Sequence, residues 1–432
     1  MIASLIFQHA RQKRRELIML VGMTALYFFS YFQRVAVPGT IFNELQMDFN
    51  ASAVAITALG ALFLYIYGFW QIFAGVLADR FGGFRMLLIG SLLMTVGAFV
   101  FPLARTLPLL YTTRGLVAFG ASFIFISLVK EIDTLFDRRH FAMWLGVALF
   151  FGYAGGLVGT LPLERAVHWF GWRHSFLSMG LLSAGVLLGN YWIFKKSRRT
   201  ESAPRTPSRL SLKAIARNKH SWFLIFPGAV NFSIYFLFQA SIGKKMLSDV
   251  CGIGSARAAS ILFIMLLVCM SVTSLAGFIS RLIGNRRKPL LVGSTTLMLG
   301  TTAFLAWVLA LPSCPPALMA AGYMVLAIAA SVSPLFCSSM KEVNPEEAAA
   351  TSVGFINCLC YLCVAATSNL AGMVMDTFFD QTVVTPQAII YPTSAYRMIL
   401  LGCLIVAALS WIASLFIAET RGLCTYRRKP CF

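Results

Sequence analysis

The chain has 432 residues, of which 58% are hydrophobic and 12% charged, with a formal net charge of +20 and a mean hydropathy of +0.77. That balance excludes an ordinary water-soluble globular chain and describes a protein that lives in a bilayer. The positive charge calls for no nucleic acid, because it is concentrated on alternate connections between apolar runs.

Apolar windows of about 20 residues, the length that an α-helix needs to cross a bilayer, recur along the whole chain. They predict an all-α membrane protein of twelve transmembrane helices, near 17–40, 53–78, 84–104, 108–130, 141–163, 174–194, 221–243, 256–282, 289–311, 315–338, 350–375 and 393–417. Lipid offers the backbone no hydrogen-bond partner, so uninterrupted runs of this length must be helical. About 27 of the 36 Lys and Arg fall on the side that holds both ends of the chain, which predicts cytoplasmic termini. The Met1–Arg15 segment is too polar for a cleaved signal, so the first span is expected to stay in the mature chain.

The first span carries an expensive charge, Arg34, in the run Tyr27-Phe-Phe-Ser-Tyr31-Phe-Gln-Arg34. An arginine there stays ionised and must find water, an internal partner or an anionic ligand. Helical spacing puts Tyr27, Tyr31, Arg34 and Pro38 on one stripe. The second span offers Tyr67 and Gln71 one turn apart, with Tyr65 nearby, and ends in Gly75-Val-Leu-Ala-Asp79-Arg80-Phe-Gly82-Gly83-Phe-Arg85.

In the fourth span, Arg114 and Lys130 lie about 160° apart around the helix, so they cannot share one face. Either Lys130 faces a cavity and Arg114 is scaffold, or the reverse. Glu131, Asp133 and Asp137 follow Lys130, and the fifth span is glycine-rich, Gly152-Tyr-Ala-Gly155-Gly156-Leu-Val-Gly159.

A basic, Pro-containing linker at 195–220 separates two predicted domains, six-helix halves at 1–194 and 221–432. Asn231, Tyr235, Phe238 and Gln239 form an arc in the seventh span, which Lys245 continues if the helix survives Gly243. At the end of the eighth span Gly277-Phe-Ile-Ser-Arg281-Leu-Ile-Gly284-Asn-Arg286-Arg287 echoes the Gly75 segment 202 positions earlier, with Arg281 in place of its acid. Gly354, Asn357, Tyr361 and Ser368 form one face of the eleventh span. All ten cysteines stand at or after Cys251, and the Cys358, Cys360, Cys363 group reads as small apolar residues rather than a metal site.

The Gly75 segment resembles the loop 2–3 signature of the major facilitator superfamily, G-x-L-a-D-R-x-G-x-x-R, at the position in the topology where that family carries it. Arg114-Gly-Leu-Val-Ala-Phe-Gly120 is similar to the family's span-four element, the fifth span to its glycine-rich helix, and Asn344-Pro345-Glu346-Glu347 to its loop 10–11. The resemblance covers essentially the whole chain. It implies two six-helix bundles rocking about a central cavity, with Gly75, Asp79, Arg80, Gly82, Arg85, Arg114 and Asp133 serving the gate or its scaffold. Within that family, Tyr31-Phe-Gln-Arg34 looks like the first span of organic anion and sugar-phosphate antiporters. Those antiporters usually supply a second cation from span seven, whereas Lys244 and Lys245 stand near its outer end here.

No Asp or Glu falls in the middle of a predicted span, and embedded cations without embedded acids favour an anionic solute, phosphate or carboxylate. The candidate solute-binding residues are Arg34, Tyr31, Tyr27, Tyr67, Gln71, Lys130, Asn231, Tyr235, Gln239, Lys245, Asn357 and Tyr361. The expected activity is secondary transport, with no enzyme chemistry and no cofactor, since neither a G-x-x-x-x-G-K-[ST] loop nor an H-E-x-x-H pattern is present. Expected partners are a small-molecule substrate, the lipid bilayer and a coupling ion or exchanged anion, with no nucleic acid, in a monomer of the bacterial inner membrane. Two alternatives stay open: a non-transporting sensor or complex subunit on the same fold, and a transporter of a neutral or zwitterionic solute such as an amino acid or peptide.

Overall fold

The computed structural model describes residues 2–136, 141–196, 210–345, 349–386 and 388–425, and these are helical almost throughout. The helices are α1 (Ile2–Ala36), α2 (Phe42–Phe49), α3 (Ala53–Phe81), α4 (Gly83–Val100), α5 (Leu107–Leu135), α6 (Phe141–Val158), α7 (Leu161–Lys196) and α8 (Leu210–Arg217). They continue as α9 (Lys219–Phe236), α10 (Gly243–Cys251), α11 (Ser255–Leu282), α12 (Arg287–Val308), α13 (Pro316–Ala330), α14 (Ser333–Glu342), α15 (Ala349–Asp376) and α16 (Thr393–Ser414). A short antiparallel hairpin, β1 (Val383–Val384) with β2 (Ile389–Ile390), pairs Val383 with Ile390.

Among the described residues, eleven stretches are long and apolar enough to cross a membrane, where hydropathy predicts twelve. The difference lies in Gly146–Ile193, a 48-residue stretch that contains the expected fifth and sixth spans and is interrupted inside α7 by the positive φ of Gly171. Helix ends also differ from expectation, for local reasons. The first helix stops at Ala36 rather than 40, because Pro38 has no N–H to continue the ladder. The seventh span becomes α9, a π-turn over Leu237–Ser241, and α10. The tenth breaks between α13 and α14, where Pro334 follows. In the basic linker, residues 210–217 form α8, whose Ile215 is buried; residues 197–209 lie outside the described residues.

The chain divides into two compact units, Met1–Val35 with Phe69–Pro207 and Ala36–Gly68 with Ser208–Phe432. In the first unit, glycine lets helices approach closely. A Cβ on Gly120 of α5 would strike the backbone of Gly90 and Met94 in α4, and one on Gly155 of α6 would strike the carbonyl of Phe28 in α1. Small residues serve this purpose in bilayers, where close packing rather than hydrophobic exclusion holds helices together. Thr95 and Ser183 share a hydrogen bond of 2.8 Å between α4 and α7. Large apolar side chains such as Leu92, Phe150, Leu181 and Leu188 stay exposed, as lipid-facing positions require.

In the second unit, Ile215, Leu224, Leu291, Phe336, Met340 and Ile356 build a core joining α8, α9, α12, α14 and α15. Two asparagines beside it are well bonded. Fully buried Asn344 donates to Ser221 Oγ at 3.0 Å and to the Met340 carbonyl at 2.9 Å, while Asn218 donates to the Val343 carbonyl at 2.7 Å. A Cβ on Gly243 would collide with the Phe238 carbonyl, so the step from π-turn to α10 admits only glycine without displacement.

Candidate functional site

In the first unit, Arg34 occupies the last turn of α1 and is only 4% exposed. Its guanidinium lies 4.9 Å from the centre of the Tyr31 ring, an attraction of about 0.5–2 kcal/mol. The C-terminal end of a helix also favours a cation, so part of what holds this charge is the helix itself. Tyr31 packs at 4.7 Å on Tyr153 of α6 and at 6.2 Å on Tyr27, which meets Phe125 of α5 at 5.4 Å. Gly152 is what admits Tyr27, since a Cβ there would penetrate the ring. The result is one arginine and three tyrosines gathered from α1 and α6.

Arg114 is 1% exposed and donates from Nη1 to the Gln33 carbonyl at 2.8 Å. It therefore braces the backbone of α1 one residue before Arg34. Lys130 is half-buried and donates from Nζ to the Ala78 carbonyl at 2.6 Å, near the end of α3. The same carbonyl accepts the Gly82 N–H at 3.0 Å. Gly82 has a φ of 91° and starts α4, a conformation that explains a glycine at this point of the signature. Glu131 accepts the Phe84 N–H at 2.9 Å, capping α4 with a carboxylate where the helix dipole favours one. Arg80 and Arg85 are exposed, Arg80 over the Phe81 ring at 5.3 Å. Gly75 meets α5 only through Ile126 at its missing Cβ. The side chains of Asp79 and Asp133 lie outside the described residues, as do Asp137 and that of Arg281. Gln71, also of this unit, is buried.

In the second unit, Tyr67 stacks on Phe63 at 5.8 Å and meets Tyr361 of α15 edge-on at 5.0 Å, and Tyr361 meets Phe232 at 5.5 Å. Asn231 is buried and turned toward α12, donating to Ser294 Oγ at 3.3 Å. Tyr235 is buried on the same helix, and Asn357 is half-buried on α15. Gln239 sits inside the π-turn, 2% exposed, and its Nε2 has no hydrogen-bond partner among the described residues. An apolar crevice of about 180 Å³ between α9, α15 and α16 has no charged lining residue, which separates it from these polar groups.

Lys245 occupies a different setting. Its ammonium donates to Asn43 Oδ1 at 2.9 Å and to the Ile389 carbonyl at 2.6 Å, and lies 3.3 Å from Asp249 Oδ2. Asp249 also accepts Tyr396 OH at 2.6 Å and the Tyr391 N–H at 3.1 Å. Burial pushes the Asp249 carboxyl up and the Lys245 ammonium down, each against the attraction of the other. Lys244 donates to the Thr40 carbonyl at 2.5 Å, and Gly39 N–H reaches the Ala240 carbonyl at 3.1 Å. Asp376 at the end of α15 caps α3 through Ala53 and Val54 N–H at 2.8 and 3.2 Å. The segment that follows α1 is thus strapped to α10, β2 and α15 by buried polar contacts. Asp249, Asn43 and Asp376 were not among the sequence candidates. Only the i, i+4 spacing of Lys245 and Asp249 signals any of this beforehand.

Comparison with known proteins places these features in context. The family profile described as Major Facilitator Superfamily matches residues 23–368. A protein of Cupriavidus necator described as a probable sulfoacetate transporter is 26% identical over 189 residues, 43% of each chain. Human monocarboxylate transporter 7 is 25% identical over 152 residues, 35% of this chain and 29% of its own. The chain thus spans less than half the length of either relative in these matches. Among solved structures, a bacterial homolog to the human lysosomal transporter Spinster, inward-facing and unoccupied, superposes with a TM-score of 0.75 at 16% identity, covering 96% of this chain and 99% of that one.

Proposed function

The chain belongs to the major facilitator superfamily, and from that premise we propose that it is a secondary transporter of a small organic anion, working by alternating access with Arg34 as the anion anchor. It is a multi-pass integral membrane protein whose relatives are transporters, not enzymes. The observation that carries the anion reading is the buried guanidinium of Arg34 among Tyr31, Tyr27 and Tyr153. Glu131, Glu164, Asp249 and Asp376 stand toward the ends of their helices. In a low-dielectric setting a guanidinium attracts an anion far more strongly than at a surface, and its planar fork matches the paired oxygens of a carboxylate, sulfonate or phosphate. Two relatives are named for sulfoacetate and for monocarboxylates, both anionic solutes, which supports the class without choosing its member.

The remaining roles are part of the same proposal. Tyr27, Tyr31 and Gln71 in the first unit, and Tyr67, Tyr361, Asn231, Tyr235, Gln239 and Asn357 in the second, are the polar and aromatic groups assigned to the solute. Arg114 positions α1, and Lys130 with Glu131 fixes the turn between α3 and α4, beside the gate residues Gly75, Asp79, Arg80, Gly82, Arg85 and Asp133. In the conformation described, the ammonium of Lys245 is committed to Asn43, Ile389 and Asp249, so this lysine takes part only in a state where that cluster opens. Exchange for a second anion and uptake driven by the membrane potential are the modes that need no acid in mid-span.

Uptake into proteoliposomes tests the proposal. Across phosphorylated, carboxylated, sulfonated and neutral solutes, the wild type is expected to move an anion, and Arg34→Gln to lose at least tenfold in kcat/KM. Arg34→Lys, which keeps the charge and removes the fork, is expected to lose less. Uptake of a neutral or cationic solute that is indifferent to both substitutions would overturn it.

A further inference from the structure

We propose that Cys251 and Cys314 are a disulfide-forming pair on the non-cytoplasmic face, a covalent modification site that staples α10 to the segment leading into α13. Their sulfurs lie 3.4 Å apart, both side chains are partly buried and both are thiols in this structure. Closing them to the bonded distance of about 2.05 Å needs a small rotation at each side chain.

The backbone on both sides is held for that approach. Gly252, with a φ of 62°, ends α10 directly after Cys251, and Pro315 and Pro316 follow Cys314 to open α13. Both residues fall between membrane-crossing stretches: Cys251 between Lys219–Ser241 and Ser255–Ser280, Cys314 between Arg287–Val308 and Pro316–Glu342. Both connections belong to the side that carries the smaller share of the chain's Lys and Arg, where an oxidising compartment is expected. By contrast Cys269, Cys358, Cys360, Cys363 and Cys403 lie inside crossing stretches.

The chemistry is thiol–disulfide exchange with a disulfide-bearing protein oxidant. One cysteine, as thiolate, attacks a sulfur of the oxidant's disulfide; the mixed disulfide forms and one oxidant sulfur leaves as a thiolate that takes up a proton. The second cysteine then attacks the mixed disulfide at the first cysteine's sulfur. The Cys251–Cys314 bond forms, the second oxidant sulfur leaves, and it too is protonated. Two thiols have become one disulfide and the oxidant has gained two electrons and two protons. Burial pushes the Cys251 thiol up to about 12 and raises that of Cys314, so the thiolate is scarce and uncatalysed attack is slow.

What the bond secures is the helix that carries Lys244, Lys245 and Asp249. Tyr323 of α13 already holds its first residue, donating to the Gly243 carbonyl at 3.1 Å. The disulfide would hold its last. It also closes a span of 63 positions in sequence, a length over which a cross-link restricts the unfolded chain substantially.

The test is peptide mapping of the full-length protein, extracted from membranes without reductant and alkylated while denatured. The expected result is a linked Cys251–Cys314 peptide pair, lighter by two hydrogens than the separate thiols, that reductant separates. Cys251→Ser should leave Cys314 alkylated, and Cys314→Ser should leave Cys251 alkylated. Reductant should lower the thermal midpoint of the wild type by several degrees and leave that of the Cys251→Ser/Cys314→Ser protein unchanged. Full alkylation of both residues, persisting after incubation of the purified protein with oxidised glutathione and a disulfide oxidase, would overturn the proposal. So would a bond from either residue to a second chain.

Discussion

Arg34 shows how much a single side chain can say and where its neighbours become necessary. Its expense in an apolar segment is visible from the residue type alone, and the ring of Tyr31 three positions earlier follows from helical spacing. What spacing does not reveal is Arg114, which binds the main-chain carbonyl of Gln33; a backbone acceptor leaves no trace in residue identity. The brace predicts that Arg114→Met loosens α1 and lowers the thermal midpoint while also slowing transport. Arg34→Gln should slow transport with little change in midpoint. Measuring both quantities on both variants separates scaffold from anchor, and equal midpoint losses would contradict the assignment. The Lys245–Asp249 pair permits a similar separation, because the two side chains are 1% and 2% exposed. Lys245→Met strands a buried carboxylate and should cost about 3–5 kcal/mol of stability. The double variant Lys245→Met/Asp249→Leu should recover most of it in a denaturation cycle, and strict additivity would show that the two do not act as a pair.

At the scale of elements, periodicity and window length locate the helices well, because an apolar run of bilayer length has one backbone solution. Their ends are less legible. Pro38 stops α1 and Gly243 follows a π-turn, yet nothing in residue type distinguishes that turn from a continuing helix. The cluster around Lys245 is the least legible, since Asn43 and Ile389 stand 202 and 144 positions away. Caps fall between these cases. Glu419 accepts the N–H groups of Arg287, Lys288 and Arg421 at 2.9, 3.1 and 3.0 Å and so caps α12, as Glu131 caps α4. Burial tends to raise the Glu419 carboxyl, but the backbone donors of Arg287, Arg421, Lys288 and Thr420 outweigh it and hold it below its ordinary value. A depressed carboxyl contributes stability above its unfolded pKa and loses it as pH falls through its folded pKa. Glu419→Gln should therefore lower the thermal midpoint slightly at neutral pH and flatten its decline below about pH 5. A parallel decline in both proteins would exclude this cap as a source of acid sensitivity.

For the molecule as a whole, the number of crossings turns on the 48-residue stretch Gly146–Ile193. At about 1.5 Å per residue a continuous helix of that length reaches about 72 Å, more than twice the hydrocarbon thickness of about 30 Å. Gly171, at a φ of 75°, interrupts it, and Arg173 donates to the Pro102 and Ala104 carbonyls at 2.6 and 2.7 Å. Those carbonyls belong to the connection between α4 and α5, so the Gly171 break stands at that end of the first unit. Trp169 and Phe170 are exposed beside it, as aromatic residues are at a membrane boundary. We propose that the stretch makes two crossings, which would give twelve helices and, with the Lys and Arg asymmetry, cytoplasmic termini. Among the described residues, nothing beyond the local chain lies within 4 Å of the position that a Cβ on Gly171 would take, so a short epitope inserted after Gly171 should fold and bind antibody on intact spheroplasts. The same epitope at the C-terminus should bind only after the membrane is permeabilised. Protection of the Gly171 epitope together with exposure of the C-terminal one would invert the orientation, and protection of both in a folded protein would leave the stretch with a single crossing.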